Sequence, residues 1–420
     1  MRRLTLTGDP AAVVEALRAF APPAEEVRAA VADILADVRA RGDVAVRAQS
    51  LRLDGVHLPA AYAVSAQAMS QALAAMRPET REALSQAAAN LRAYHERENT
   101  AGRWRLTLPA GQVVGQEVVP LAVAGLYVPG GLADYPSSVL MTVVPAQVAG
   151  VSRVVVCSPP RPDGGVAPGV AAACALLGVG DLLPIGGAQA VAAMAVGTAT
   201  VPRCDVIVGP GNAYVTEAKR QVMGEVAIDG LAGPSEVLIV ADEHADPAWL
   251  AADLLAQAEH GAGAMAALLD VGGNLGDVVA LEVDRLASEV GIAADNVAVV
   301  ACPDTGTALA LVNAFAPEHL ELHVSGASEL VPAIRNAGAI FVGPYTATAF
   351  ADYVAGTNHV LPTGGAARFA QGLSVVDFQK RISVVELDRS AACALALHVA
   401  AIAEDEGLRS HARSAMLRTE

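Results

Sequence analysis

Residues 206–222 read VIVGPGNAYVTEAKRQV: a β-branched triplet, a Gly-Pro-Gly-Asn turn and a helical run. Apolar β-branched residues suit a buried strand, and the glycines with asparagine let the chain turn sharply into a helix. The same alternation recurs around it. Short apolar runs stand at LAVAGLYV (121–128), RVVVC (153–157), LLPI (182–185), VLIVAD (237–242), MAALLDV (265–271), VAVVAC (297–302), LELHV (320–324) and AIFV (339–342). Helical patterns separate most of them. Continuous apolar strands between helices predict parallel sheets covered on both faces, so the fold class is α/β.

Nine strands divide best into two α/β halves, 116–235 and 236–378. Residues 1–115 read as a mainly helical region. Val27, Val31, Ile34 and Val38 share one helical face, with Glu25 and Glu26 in the first turn and Gly42 at the end. A second amphipathic helix is expected over 82–96. Residues 379–420 read as a strand, SVVEL (383–387), followed by a helical tail.

Composition narrows the function. The chain has 420 residues, 53% hydrophobic and 4% aromatic, with a net charge of −16. That balance argues against nucleic acid and anionic membranes as main partners. Five scattered cysteines without a CxxC predict buried thiols in a reducing compartment, and the first residues lack the apolar core of a signal peptide; both point to the cytoplasm. Residues 164–202 carry one charge, Asp181, yet repeated Gly and Pro favour buried α/β core over a membrane span. Lysine occurs only at 219 and 380, marking either sites that need a compact ammonium or chance in an Arg-biased chain.

Three glycine turns lie in the first half: LYVPGG (126–131), GGAQAVAAMAVGT (186–198) and VGPGN (208–212). Free backbone N–H groups at a helix start bind anions, so together they suggest a dinucleotide site, although each alone is ordinary turn chemistry. None is a GxGxxG; GVGDLL (178–183) precedes a strand instead of following one.

Three polar islands lie in the second half: QAEHG (257–261), APEHLEL (316–322) and DYVAGTNHVLPTGG (352–365). Gln257 and His260 stand at i, i+3 near the end of a helix that Asp246 caps and Pro247 begins. An amide oxygen and an imidazole can ligate a divalent ion, but a plain helix-end histidine is the reading for the pair alone. Asp352, His359 and His411 are candidates to complete a set. Pro317 biases Ala316 towards extended backbone, and the neighbouring Glu318 and His319 are expected to face different partners. A histidine there suits proton removal and a glutamate suits activation of water. Ser235 in AGPSEV lacks a GxSxG context, which leaves it a substrate ligand or a turn residue. His57, His95, His244, His323 and His398 read as structural or surface residues.

Taken together, the motifs resemble histidinol dehydrogenase. The matching strings run in order from GLYVPGG through YPSSVLM, GGAQAVAAMAVGT, VGPGNAYVTEAKRQV, AGPSEVLIVAD, DLLAQAEHG, APEHLEL, AGAIFVGPYT and DYVAGTNHVLPTGGAARF to EGLRSH, with weaker matches ILADVRARGDVAV and AANLRAYHERE upstream. The resemblance implies two incomplete Rossmann-like domains of the aldehyde dehydrogenase kind. It implies oxidation of L-histidinol to L-histidine through a bound aldehyde, with two NAD and one Zn2+ per subunit, at the end of histidine biosynthesis. Gln257, His260, Asp352 and His411 would be the metal ligands. His319 would be the base, and Glu318 would activate water. Substrate contacts would include Ser235, His359, Glu406 and the metal ligands, and Tyr127, Gln189 and Asn212 would contact NAD. The family is a homodimer, so Glu406 and His411 of the tail would act on the partner's site.

Two positions depart from the family pattern. Gly230 replaces a larger apolar residue, which predicts a small cavity near Ser235. Ala351 replaces a glycine beside Asp352, which predicts strain if that position needs positive φ. A related metal- and NAD-dependent dehydrogenase of another amino alcohol or a sulfonated diol is the competing enzyme reading. A two-lobed binding protein without catalysis is the alternative outside enzymes, disfavoured by the paired Glu318 and His319.

Overall fold

The computed structural model describes all residues except 1, 7–8, 21–26, 100–101, 131–133 and 262. Glu25, Glu26 and Gly131 therefore lie outside the described residues. The nine expected strands all form, divided between two parallel sheets.

In the first sheet the spatial order is Asp181–Leu183, Arg153–Cys157, Val123–Tyr127, Val206–Val208 and Ala227–Ile228, all parallel. The order reverses between Val123–Tyr127 and Val206–Val208. At such a switch point the two flanking connections leave in opposite directions and open a crevice at the carboxyl ends of the strands. Helices Arg28–Arg41 and Gly187–Val196 cover one face, where Val31, Ile34 and Val38 meet Val155, Ile207 and Met194. Helices Pro78–Glu98 and Pro136–Ala149 cover the other, burying Leu91, Val139 and Val143 against Leu126 and Val156.

The second sheet runs Arg2–Thr5, Val297–Cys302, Met265–Val271, Glu236–Ala241, His319–His323 and Ala339–Val342, again all parallel. Its first strand, Arg-Arg-Leu-Thr, is largely exposed and shows no apolar run in the sequence. It is an edge strand that relies on Val297–Cys302 for its register. The sheet order reverses between Glu236–Ala241 and His319–His323.

A third, antiparallel sheet joins Trp104–Thr107, Val113–Pro120 and Gln379–Glu386. Beyond it, helices Arg389–Asp405 and Arg409–Met416 pack on each other through Ala400, Ala403 and Ala412. No helix among the described residues is long and apolar enough to cross a membrane.

Candidate active site

At the switch point of the first sheet, Tyr127 ends its strand and its hydroxyl accepts a hydrogen bond from the Gly187 N–H at 3.1 Å. Asn212 caps helix Ala213–Val222, its Oδ1 accepting from Tyr214 N and Val215 N. Gln189 is buried, and its Nε2 donates to Asp54 at 3.1 Å while its Oε1 has no protein partner. All three line one cavity of about 860 Å³, together with Gly130, Asp134 and Ser158.

The turn between them is held closely. Gly209 has φ +112°, and a Cβ there would stand 2.1 Å from the Tyr127 carbonyl oxygen. Asp229 accepts from Gly209 N at 2.7 Å, and the buried Lys219 donates to Gly209 O at 2.7 Å while pairing with Asp229. Lys219 is thus a turn clamp.

In the second half, the Pro-Glu-His segment begins strand His319–His323 beside the start of strand Glu236–Ala241. Glu318 and His319 are both buried. Glu318 Oε2 accepts from Ser235 Oγ at 2.6 Å and from Glu236 N at 2.9 Å. His319 Nδ1 lies 3.1 Å from the Glu236 carbonyl oxygen. That oxygen can only accept, so Nδ1 carries a proton, and Nε2 is the ring atom left to take one up. Nε2 is buried without a hydrogen-bond partner and lies 3.9 Å from Asp352 Oδ1.

The expectation that Glu318 and His319 part company is therefore corrected. Their side chains lie 3.5 Å apart and both bond the backbone of Glu236, Glu318 at its N–H and His319 at its carbonyl oxygen. Ala316 is not extended either. It takes a left-handed conformation, φ 55° and ψ 66°, at the end of helix Thr305–Phe315, where its N–H still bonds to Val312 O. The need to end that helix overrides the local bias from Pro317.

Burial pushes the Glu318 carboxyl up from its usual value, against the opposing pull of His319 and its own hydrogen bonds. The neighbouring Glu236 is pushed up to about 7 by burial, although Arg18 draws it back. Arg18 pairs with Glu236, donates to Phe315 O at 2.7 Å and stacks 3.8 Å over the Phe315 ring. Neither role was visible in the sequence: Arg18 lies on helix Ala11–Arg18, remote along the chain from both partners.

Gln257 lies in the last turn of helix Pro247–Ala258 and His260 in the turn just beyond it, with Asp246 as the N-cap and Pro247 first, as the sequence predicts. That helix packs against the short helix Thr348–Tyr353, which carries Asp352. His260 Nδ1 donates to Ala256 O at 3.1 Å, and His359 Nδ1 donates to Asp352 O at 3.0 Å. Each bond leaves an Nε2 lone pair free. His359 Nδ1 is also 3.9 Å from Asp352 Oδ1, and burial holds its ring below its usual pKa against the opposing pull of Asp352. Gln257 is buried, with Nε2 unpartnered.

The structure thus groups Glu318, His319, Asp352 and His359 and sets the Gln257–His260 helix end beside them. Glu406 and His411, by contrast, are exposed on the tail and make no hydrogen bond or ion pair with this group among the described residues. A second cavity of about 480 Å³ joins the halves: Gly209, Pro210 and Ser235 line it from the first, and Glu318 and His359 from the second. The first half therefore presents the carboxyl end of its strand Val206–Val208, whereas the second presents the amino ends of strands Glu236–Ala241 and His319–His323. Gly230 also lines this cavity, with open space where a Cβ would be, as expected from the departure there. Ala351 sits in helix Thr348–Tyr353 without positive φ, so the strain expected beside Asp352 is absent.

A sequence profile of the histidinol dehydrogenase family matches residues 20–419. Histidinol dehydrogenase from Geobacillus kaustophilus is 47% identical over 403 residues, covering 94% of this chain and 95% of its own. The Methanosarcina barkeri protein of the same name is 44% identical over 394 residues, covering 92% and 91%. Among solved structures, histidinol dehydrogenase from Elizabethkingia anophelis superposes with a TM-score of 0.92 at 32% identity, covering 100% of this chain and 98% of that one.

Proposed function

Because this chain belongs to the histidinol dehydrogenase family, oxidoreductases that act on an alcohol and its aldehyde, we propose that it carries L-histidinol through L-histidinal to L-histidine, using two NAD and one bound Zn2+. The observation that carries this reading is the setting of the two His319 ring nitrogens. Its Nδ1–H is committed to a backbone carbonyl, and its bare Nε2 is buried beside Asp352.

The donor set fits zinc. Gln257, His260 and Asp352 offer an amide, an imidazole and a carboxylate, and His260 gives its other ring N–H to a backbone carbonyl, as metal-ligating histidines do. All five cysteines are free thiols elsewhere, four of them buried. His411 of the partner subunit would supply the fourth ligand. When bound, the metal would anchor the imidazole and amine of the substrate and NAD would accept hydride.

The residues of the chain do the rest. His319 Nε2 takes the hydroxyl proton as hydride leaves the carbinol carbon, giving the aldehyde. Glu318, raised in pKa by burial, takes a proton from water as its oxygen attacks that aldehyde. His319 returns its first proton to the aldehyde oxygen as that water adds, and then takes a hydroxyl proton of the hydrated carbon as the second hydride leaves to NAD, giving the carboxylic acid. Ser235 and His359 orient the substrate across the 480 Å³ cavity, with Glu406 from the partner's tail. Tyr127, Gln189 and Asn212 receive NAD in the larger one.

On this reading the enzyme works in the cytoplasm as a homodimer, at the last step of histidine biosynthesis. It also treats 1–115, 116–235, 236–378 and 379–420 as the helical, NAD, catalytic and exchanged regions. The test is NADH absorbance from histidinol and NAD. It should vanish on chelation and return with zinc; no NADH from zinc-loaded protein would sink the proposal.

A further inference from the structure

Strand His319–His323 points His319, Glu321 and His323 to one side of the second sheet, because strand side chains alternate. Between the base and the far histidine lies a fully buried carboxylate. A charge there needs partners, and both oxygens have them. Glu321 Oε1 accepts from Thr348 N at 2.8 Å and from Thr348 Oγ1 at 2.7 Å. Glu321 Oε2 lies 3.1 Å from His323 Nε2. Asp253 completes the group, with a carboxyl oxygen, a Glu321 oxygen and a His323 nitrogen all within 4.8 Å of one another.

The places of these partners in the chain give the cluster its meaning. Thr348 is the first residue of the helix that carries Asp352 four positions on. Asp253 stands one turn before Gln257 on its helix, so the two share a face. One carboxylate therefore touches both helices that bring the proposed ligands to the metal. The two helices come from distant parts of the chain, and their packing on each other is slight beside that of the sheet.

We propose that Glu321 is a positioning residue that fixes the spacing of Asp352 and Gln257, and through it the affinity of the metal site. The inference rests on the reading of those two residues as ligands. It also gives the Asp253–Glu321–His323 cluster a role other than a second metal site. Thr348 already occupies Oε1, and burial with the charge of Glu321 pushes Asp253 up to about 7, so that it can donate its proton within the cluster.

The test compares zinc-loaded, full-length wild type with Glu321→Gln and with the milder Thr348→Val, which keeps the side-chain shape and the backbone bond. The readout is the rate of zinc loss to a chromogenic chelator, with the d–d spectrum of the cobalt-substituted protein alongside. Removing groups that orient metal ligands typically weakens metal binding about 10–100-fold. Zinc loss should quicken by about tenfold in Thr348→Val and more in Glu321→Gln, with altered cobalt bands and KM for histidinol raised more than kcat is lowered. Gln257→Ala and Asp352→Asn serve as controls. If these lose zinc while folded Thr348→Val and Glu321→Gln release it at the wild-type rate, the positioning role is overturned and the ligand assignment stands. If the controls keep zinc as wild type does, the ligand assignment falls and takes the inference with it. Two zinc ions per subunit, one of them lost in Glu321→Gln, would also overturn it.

Discussion

Ser235 Oγ donates to Glu318 Oε2 across 2.6 Å, tying the turn before strand Glu236–Ala241 to the buried carboxylate just before its neighbour His319–His323. The bond holds one oxygen of Glu318, a residue that lines the smaller cavity. Water activation belongs only to the aldehyde-to-acid half of the reaction. Glu318→Gln should therefore leave histidinol-to-histidinal oxidation largely intact and slow histidinal oxidation by about 10²–10⁴-fold, the usual worth of general base catalysis. Separate assays of the two half reactions check this. Equal loss in both halves would remove Glu318 from the water step.

A second prediction concerns pH and stability. Glu236 titrates near 7 in the folded chain because burial disfavours its charged form, against 4.5 for an ordinary glutamate. Below 4.5 it is protonated in both the folded and unfolded states, and its contribution to stability is complete. Between 4.5 and 7 the unfolded chain ionises first, so that contribution is lost as pH rises, on the order of a few kcal/mol in total. Glu236→Gln should flatten the fall. Urea unfolding of both proteins from pH 4.5 to 8 measures it, and parallel curves would show that Arg18 compensates the buried charge fully.

The glycine turn after strand Val206–Val208 gives a paired prediction. Gly209→Ala would set a methyl group 2.1 Å from the Tyr127 carbonyl oxygen at φ +112°. Neither the backbone oxygen nor the clamped turn can yield cheaply, so the loss should reach about 3 kcal/mol or more. Gly230→Ala meets nothing within 4 Å and should lie within about 1 kcal/mol of wild type. Denaturation midpoints of the two variants decide whether the turn or the cavity wall is the rigid element.

Much of this was legible because it was local. Asp246 and Pro247 announced their helix, and with it the place of Gln257 and His260; nine apolar runs announced nine strands. What stayed hidden was long-range or polar. Arg2–Thr5 carries two arginines and becomes a strand only because Val297–Cys302 offers an edge. Arg18 meets Glu236, and Thr348 meets Glu321, through tertiary placement that no spacing encodes. Ala316 turned left-handed because ending its helix outweighed the preference set by the following proline.

The tail gives the last prediction. Its two helices bury alanines against each other and leave Leu397, Ile402 and Leu408 exposed at 69%, 61% and 44%. Such apolar exposure on a helix pair suits a partner surface, and a twofold dimer would carry each tail to the other subunit. His319→Asn and His411→Asn subunits are then each inactive alone. In a mixed dimer, one site joins an intact His319 to the intact His411 of the other chain, and the second site lacks both. Random reassortment makes about half of the dimers mixed, so activity should return to about one quarter of the wild-type value. If His411 instead serves its own chain, every site in the mixture lacks one of the two histidines and no activity returns. Unfolding and reassembling equal amounts of the two variants, followed by the NADH assay, separates these outcomes.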